Sequence, residues 1–128
     1  MVATLSVGEG TLTVAAGTSG VTVVGSGTGS VSLTGTVSQI NVLLASAGGA
    51  AGTISYIDNT DTPSASTVLT LSVNDAGNTG TGGVLIASDT ATINITAVND
   101  APVAAIVPTT YAATEQTSLV LHLSLIHI

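Results

Sequence analysis

The chain has 128 residues, seven acidic side chains, no Lys, no Arg and no Cys, so its formal net charge is −7. Without basic residues it has nothing to neutralise a nucleic-acid backbone or an anionic membrane surface, and without cysteine it has neither disulfides nor thiolate metal sites. Small aliphatic residues are frequent, but Gly, Ser or Thr interrupt them every few positions. This composition predicts many short strands, no nucleic-acid partner and no membrane insertion.

Alternating apolar and polar residues predict seven strands, separated by turns rich in Gly, Asn and Asp. Between the first two strands, Gly8-Glu9-Gly10 predicts a hairpin turn or a bulged strand, with Glu9 facing water. The strands are expected over residues 4–7, 11–14, 21–24, 30–33, 53–57, 67–73 and 90–98.

One segment has helical spacing instead. Val37, Ile40 and Leu44 fall on one side of a helix, and Ser38 is a candidate N-cap. We expect one or two helical turns there. Seven strands with almost no helix predict an all-β sandwich, and a chain with only two aromatic residues predicts a core of small aliphatic side chains.

Two stretches carry a family resemblance: "LTLSVNDAGNTGTGG", beginning at Leu69, and "SDTATINITAVNDAPV", beginning at Ser88. Together with the opening "ATLSVGEGTLTV" they resemble the tandem immunoglobulin-like, cadherin-like repeats of large secreted bacterial surface proteins and adhesins. The resemblance covers about residues 1–103. It implies a Greek-key β-sandwich, an extracellular location, neighbouring repeats of the same chain as partners, and calcium at the joints where it is bound.

The resemblance also divides the chain. Residues 1–98 correspond to one repeat, "NDAPV" at residues 99–103 to the linker, and residues 104–122, including "TTYAATEQTSLVL", to the truncated start of a next repeat. The last six residues, "LSLIHI" at 123–128, resemble the translation of an adapter used in building sequencing libraries. The alternative for this tail is a natural β-strand sequence.

The candidate calcium ligands lie at the joints. Asn99 and Asp100 end the predicted last strand, and the resemblance places Glu115 where cadherin-like repeats offer a carboxylate back to the joint. Calcium takes six to eight oxygen ligands, so backbone carbonyls and water would have to complete the site. The chain departs from true cadherins, since the fuller Asp-x-Asn-Asp-Asn junction is reduced to "VNDA" and no Asp-Arg-Glu motif is present. The alternative is that Asn99 and Asp100 end the strand by bonding their own backbone.

Asp75 matches the aspartate of the family's A-x-D-x-G loop, which implies a ligand for the joint with a preceding repeat. The alternative is a polar loop tip held by Asx turns. Asp58, Asp61 and Asp89 are interpreted as solvated turn residues. For catalysis the chain offers no Cys, Lys or Arg and no base placed to activate a hydroxyl, which predicts that it is not an enzyme.

The leading hypothesis is therefore a structural spacer repeat of an extracellular bacterial adhesin, with calcium stiffening the joints between repeats. A second hypothesis is a ligand-recognition module that binds a host or surface glycan or protein through the loop "NDAGNTGTGG" at residues 74–83. A third, a repetitive β-helix, lacks the fixed short period that such folds show.

Overall fold

The structure is a computed structural model that describes residues 1–45, 49–77, 81–121 and 123–127. The chain forms two compact units, Met1–Thr96 and Ala97–Ile128. In the first unit the strands are β1 Val2–Val7, β2 Thr11–Ala15, β3 Thr22–Val24, β4 Ser30–Thr34, β5 Thr53–Ile57, β6 Ser66–Asn74 and β7 Ile86–Asn94, and helix α1 spans Val37–Leu44. The second unit contains β8 Pro102–Ile106 and β9 Leu123–His127.

The strands of the first unit form two layers. Five antiparallel strands make the larger sheet in the order β3-β4-β1-β6-β7, and β2 pairs with β5 in a two-stranded sheet. The predicted all-β sandwich of about seven strands is confirmed. The alternation of apolar residues explains the layers, because every second side chain of a strand faces the same side.

The core lies between the inner faces of β1 and β4 and the strand β2, with one face of α1 packed against it. Every member of this core is aliphatic, as the composition predicts, and Tyr56 packs only at its margin. The buried side chains are those of Ala3, Leu5, Leu12, Val14, Val21, Val31, Leu33, Ile40 and Leu43.

The segment Gly8-Glu9-Gly10 carries the chain from one layer to the other. The expected hairpin or bulged strand is wrong, because the two strands lie in different sheets: β1 pairs with β4 and β6, whereas β2 pairs with β5. Gly10 has a φ of 82°, and a Cβ atom at this position would lie 2.6 Å from the Tyr56 ring. Only glycine gives both the left-handed backbone and this close approach without strain.

The N-cap of helix α1 lies two residues earlier than predicted. Its N-cap is Thr36, whose Oγ1 accepts a hydrogen bond from the Gln39 backbone N–H at 3.2 Å, while Gln39 Oε1 accepts one from the Thr36 N–H at 2.9 Å. This reciprocal pair is a capping box, so the assignment of Ser38 as N-cap is wrong. The helix buries Ile40 and Leu43.

Strand β7 is displaced from its predicted position. It begins at Ile86 and ends at Asn94, whereas the alternating pattern predicts residues 90–98. Its full length pairs with β6, and Leu71 lies opposite Asp89. Asp89 is therefore a mid-strand residue, and its interpretation as a turn residue is wrong.

In the second unit, β8 and β9 form an antiparallel pair. Pro102 occupies the first position of β8, where a missing N–H is tolerated. Residues 107–121, which include most of the segment expected to start a next repeat, contain no strand. Leu123–His127, within the segment that resembles an adapter translation, forms β9.

Candidate functional site

The three joint residues lie in the second unit. Asn99 is exposed and Asp100 half-buried, both in irregular backbone before β8, and Glu115 is exposed in a turn closed by a 3.1 Å hydrogen bond from the Thr117 N–H to the Thr114 carbonyl. Within the part of the chain that the structure describes, no three His, Cys, Asp or Glu side chains cluster in a way that could hold a metal ion. Calcium also accepts amide and carbonyl oxygens, so the calcium site at these residues stays a prediction.

Asp75 lies in the first unit, and its carboxylate closes the base of the loop between β6 and β7. The side chain is only 7% exposed. Its Oδ1 accepts hydrogen bonds from the Gly77 N–H at 2.8 Å and from the Leu85 N–H at 2.9 Å, while the Asp75 N–H donates to the Leu85 carbonyl at 3.1 Å. The bond to Gly77 is the Asx turn of the sequence alternative, and the bond to Leu85 ties it to the far side of the loop.

This loop contains the segment predicted to recognise a ligand. Of residues 74–83, residues 78–80 lie outside the described part of the chain. At the start of the loop, Asn74 Oδ1 accepts a 2.7 Å hydrogen bond from the Ala76 N–H, which forms a second Asx turn. The loop is therefore anchored by side-chain bonds at its base.

A second acidic group, which the sequence did not predict as a site, surrounds Glu9. Glu9 Oε1 accepts a 2.8 Å hydrogen bond from the Ser64 N–H, the Tyr56 hydroxyl donates to the Glu9 carbonyl at 2.9 Å, and the Glu9 N–H donates to Thr67 Oγ1 at 3.1 Å. The expectation that Glu9 only faces water is wrong, because the residue is half-buried and joins three segments of the first unit.

Asp58 lies beside Glu9, at the end of β5. The Thr60 N–H donates to Asp58 Oδ1 at 3.0 Å and is the main cause that lowers the pKa of this carboxyl. Burial works against this lowering and the neighbouring Glu9 side chain adds to it, while Asp58 Oδ2 is buried with no hydrogen-bond partner among the described residues. Burial raises the pKa of Tyr56, and the negative charges of Asp58 and Glu9 raise it further.

This acidic group borders a cleft of about 340 Å³ whose lining includes Gly10, Thr11, Asp58 and Thr60. Its hydrogen bonds run to the backbone amides of Ser64 and Thr60 and to the hydroxyls of Tyr56 and Thr67, and those of Glu9 hold the layer crossing at Gly8-Glu9-Gly10 in place. In the sequence, this acidic group is visible only as Glu9 between two glycines and, far along the chain, Asp58 after a predicted strand. Nothing in the local pattern joins those two segments.

Comparisons with protein-family models, with curated proteins and with solved structures gave no match to this chain. Among the described residues, no helix is long and apolar enough to cross a membrane.

Proposed function

We propose that the chain is a structural spacer repeat of an extracellular bacterial surface protein, and that calcium stiffens the joint which follows it. The observation that carries the proposal is the unit Met1–Thr96, which has its own aliphatic core between two layers. The second unit starts at Ala97, at the beginning of the "AVNDAPV" stretch that resembles a repeat junction. A spacer needs separate folded units joined at short linkers, and this arrangement has that form.

The charge balance supports an external cation at the joint. The chain has seven carboxylates and no Lys or Arg, so apart from its two histidines and amino terminus it has no cationic group for Asp100 or Glu115. Calcium bound by Asn99, Asp100 and Glu115 would neutralise like charges and fix the linker backbone. Extracellular calcium modules bind with Kd of about 0.1 to 1 mM, a range that suits an extracellular spacer.

The test uses two copies of residues 1–121 joined head to tail, so that each copy keeps Glu115 together with Asn99 and Asp100, melted in EGTA and in 1 mM calcium. For a Kd of about 0.1 mM, calcium adds about 1.4 kcal/mol, which raises the Tm of a domain this size by about 7 °C. Small-angle X-ray scattering should show a longer, stiffer particle with calcium. Asp100→Ala should remove both effects, and Asp61→Asn, at an exposed carboxylate of the first unit, should keep them.

An unchanged Tm and an unchanged scattering profile would contradict the calcium part of the proposal. A tandem protein whose two copies unfold as one unit would contradict the spacer part.

The anchored loop favours a second candidate function, recognition of a host or surface glycan or protein. The Asp75 carboxylate bonds both sides of the loop, which would hold the loop base in one shape before a ligand arrives. A glycan-array screen of the full chain, repeated after residues 76–83 are replaced by a Gly-Ser linker, tests this candidate. Binding that survives the replacement would exclude the loop as the recognition surface.

A further inference from the structure

The inner face of the larger sheet is covered over β4 and β1 but open toward β7. One row of side chains crosses the sheet through the register partners Val31, Leu5, Leu71 and Asp89. Along this row, Val31 is fully buried, Leu5 is buried, Leu71 is half-buried and Asp89 is exposed. Because cross-strand partners lie on the same face, the apolar inner face continues from β4 to β7 but loses its cover along the way.

The loss of cover follows from the size of the second layer. Strand β2 contacts β1 and β4, and Leu12 bridges to Thr28 just before β4. β5 pairs with the edge of β2 opposite the Leu12–Thr28 bridge. Its Tyr56 hydroxyl donates to the Glu9 carbonyl, while the Glu9 N–H donates to Thr67 of β6. In the described part of the chain nothing else pairs with β5, so two strands face a sheet of five.

Two adjoining clefts mark the open face, with volumes of about 250 and 150 Å³. Leu71 and Asp89 line both of them. On β7 the neighbours of Asp89 on the same face are Ala87 and Ala91, two positions away on either side, where strand alternation returns to that face. Because these side chains are small, there is room beside the Asp89 carboxylate. The apolar side chains of Leu69, Leu71 and Val73 line the same two clefts.

We propose that this open face binds an extended peptide strand that carries apolar residues at alternate positions and one Lys or Arg opposite Asp89. The apolar residues of the strand cover the two clefts, and its backbone pairs with the free edge of β5, as in strand addition to an exposed edge. An extended strand fits better than a helix, because a helix has no free backbone groups to offer that edge.

Charge decides between the possible occupants. This chain has no Lys and no Arg, so neither another segment of the same chain nor a second copy offers such a cation opposite Asp89. A second copy would instead bring another net charge of −7 to the face. The occupant that fits this charge is a basic strand from outside these 128 residues, and this inference does not depend on the spacer role or on calcium.

The probe is a fluorescein-labelled peptide of sequence Val-Thr-Val-Thr-Lys-Thr-Val-Thr-Val, titrated with the full chain and followed by fluorescence anisotropy. The matched control peptide has Glu in place of the central Lys. The Lys peptide should bind about fivefold or more tightly than the Glu peptide, and the difference should shrink at high salt.

Asp89→Asn should bring the two peptides to nearly equal affinity, whereas Asp61→Asn should leave their difference unchanged. In NMR hydrogen exchange, the bound Lys peptide should protect β5 amides. Binding of neither peptide, or equal binding of both to the unaltered chain, would overturn the proposal. So would protection of β7 amides alone, or sedimentation showing that the chain dimerises through this face.

Discussion

Replacing Asp75 with alanine tests whether a single carboxylate holds the loop between β6 and β7. Asp75 Oδ1 accepts two backbone hydrogen bonds, at 2.8 Å from Gly77 and at 2.9 Å from Leu85. Its side chain is 7% exposed, so the bonds form largely away from water. Asp75→Ala removes the oxygen that accepts both hydrogen bonds and leaves the two N–H groups to bond water instead.

The expected loss in the free energy of unfolding depends on the number and type of these hydrogen bonds. A hydrogen bond to a charged group contributes roughly 1.5 to 3 kcal/mol, and an amide that water can reach recovers part of this. Leu85 is 69% exposed, so water can approach its side of the loop. We therefore expect Asp75→Ala to lower the free energy of unfolding by about 2 to 3 kcal/mol, a large share of the 5 to 15 kcal/mol typical of a domain.

The matched control is Asp75→Asn, which keeps an oxygen acceptor in nearly the same place but removes the charge. It should cost about 1 kcal/mol. Urea unfolding of the full chain, followed by far-UV circular dichroism at pH 7, measures both values. A loss below about 1 kcal/mol for Asp75→Ala, or equal losses for the two variants, would refute the argument that these bonds stabilise the loop.

Three further stability predictions use the same unfolding assay. Gly10→Ala should lower the free energy of unfolding by about 2 kcal/mol more than Gly27→Ala. Both glycines have a φ near 85°, but a Cβ at Gly10 would clash with the Tyr56 ring, whereas a Cβ at Gly27 has no atom within 4 Å. Equal losses would mean that the ring moves aside without cost. Thr36→Ala should cost about 1 kcal/mol and Ser38→Ala much less, because Thr36 caps α1; the reverse order would restore Ser38 as the cap. Tyr56→Phe should lower the stability at pH 7 through the lost hydroxyl bond. Because folding raises the pKa of Tyr56, its hydroxyl stabilises the unaltered chain below pH 10, and this contribution is lost as the pH rises further. The stability of Tyr56→Phe should therefore fall less steeply above pH 10 than that of the unaltered chain. An equally steep fall would contradict the assignment.

Local patterns were enough to predict the class of the fold and most of its strands. Period-two alternation identified β2, β4 and β5 within one residue of their observed bounds, because alternation is imposed by the strand itself. The position of β7 was missed, since Thr90–Val98 alternates as well as Ile86–Asn94 does. The bounds of β7 were decided by its pairing with all of β6 and by the hydrogen bond from the Leu85 N–H to Asp75 just before the strand begins.

In the candidate sites, too, local contacts follow from the sequence pattern and long-range contacts do not. The Asx turn at Asp75 follows from an aspartate in a glycine-containing loop, a pattern that the sequence shows directly. The bond from Leu85, ten residues later, does not, because it depends on how the loop returns to the sheet. The pairing of Glu9 with Ser64 and of Tyr56 with Glu9 joins segments about 50 residues apart, and no spacing rule connects them.

The sequence by itself determined the strand content, the aliphatic core and a chain without Lys or Arg to neutralise its carboxylates, because these depend on side-chain type and on short-range alternation. The tertiary structure decided which strands share a layer, and therefore which side chains of one continuous apolar face are covered. Leu5 and Asp89 occupy the same row of that face, yet one is buried and the other exposed. The cause is the second layer of two strands, whose reach over the sheet is set by long-range pairing that no local pattern encodes.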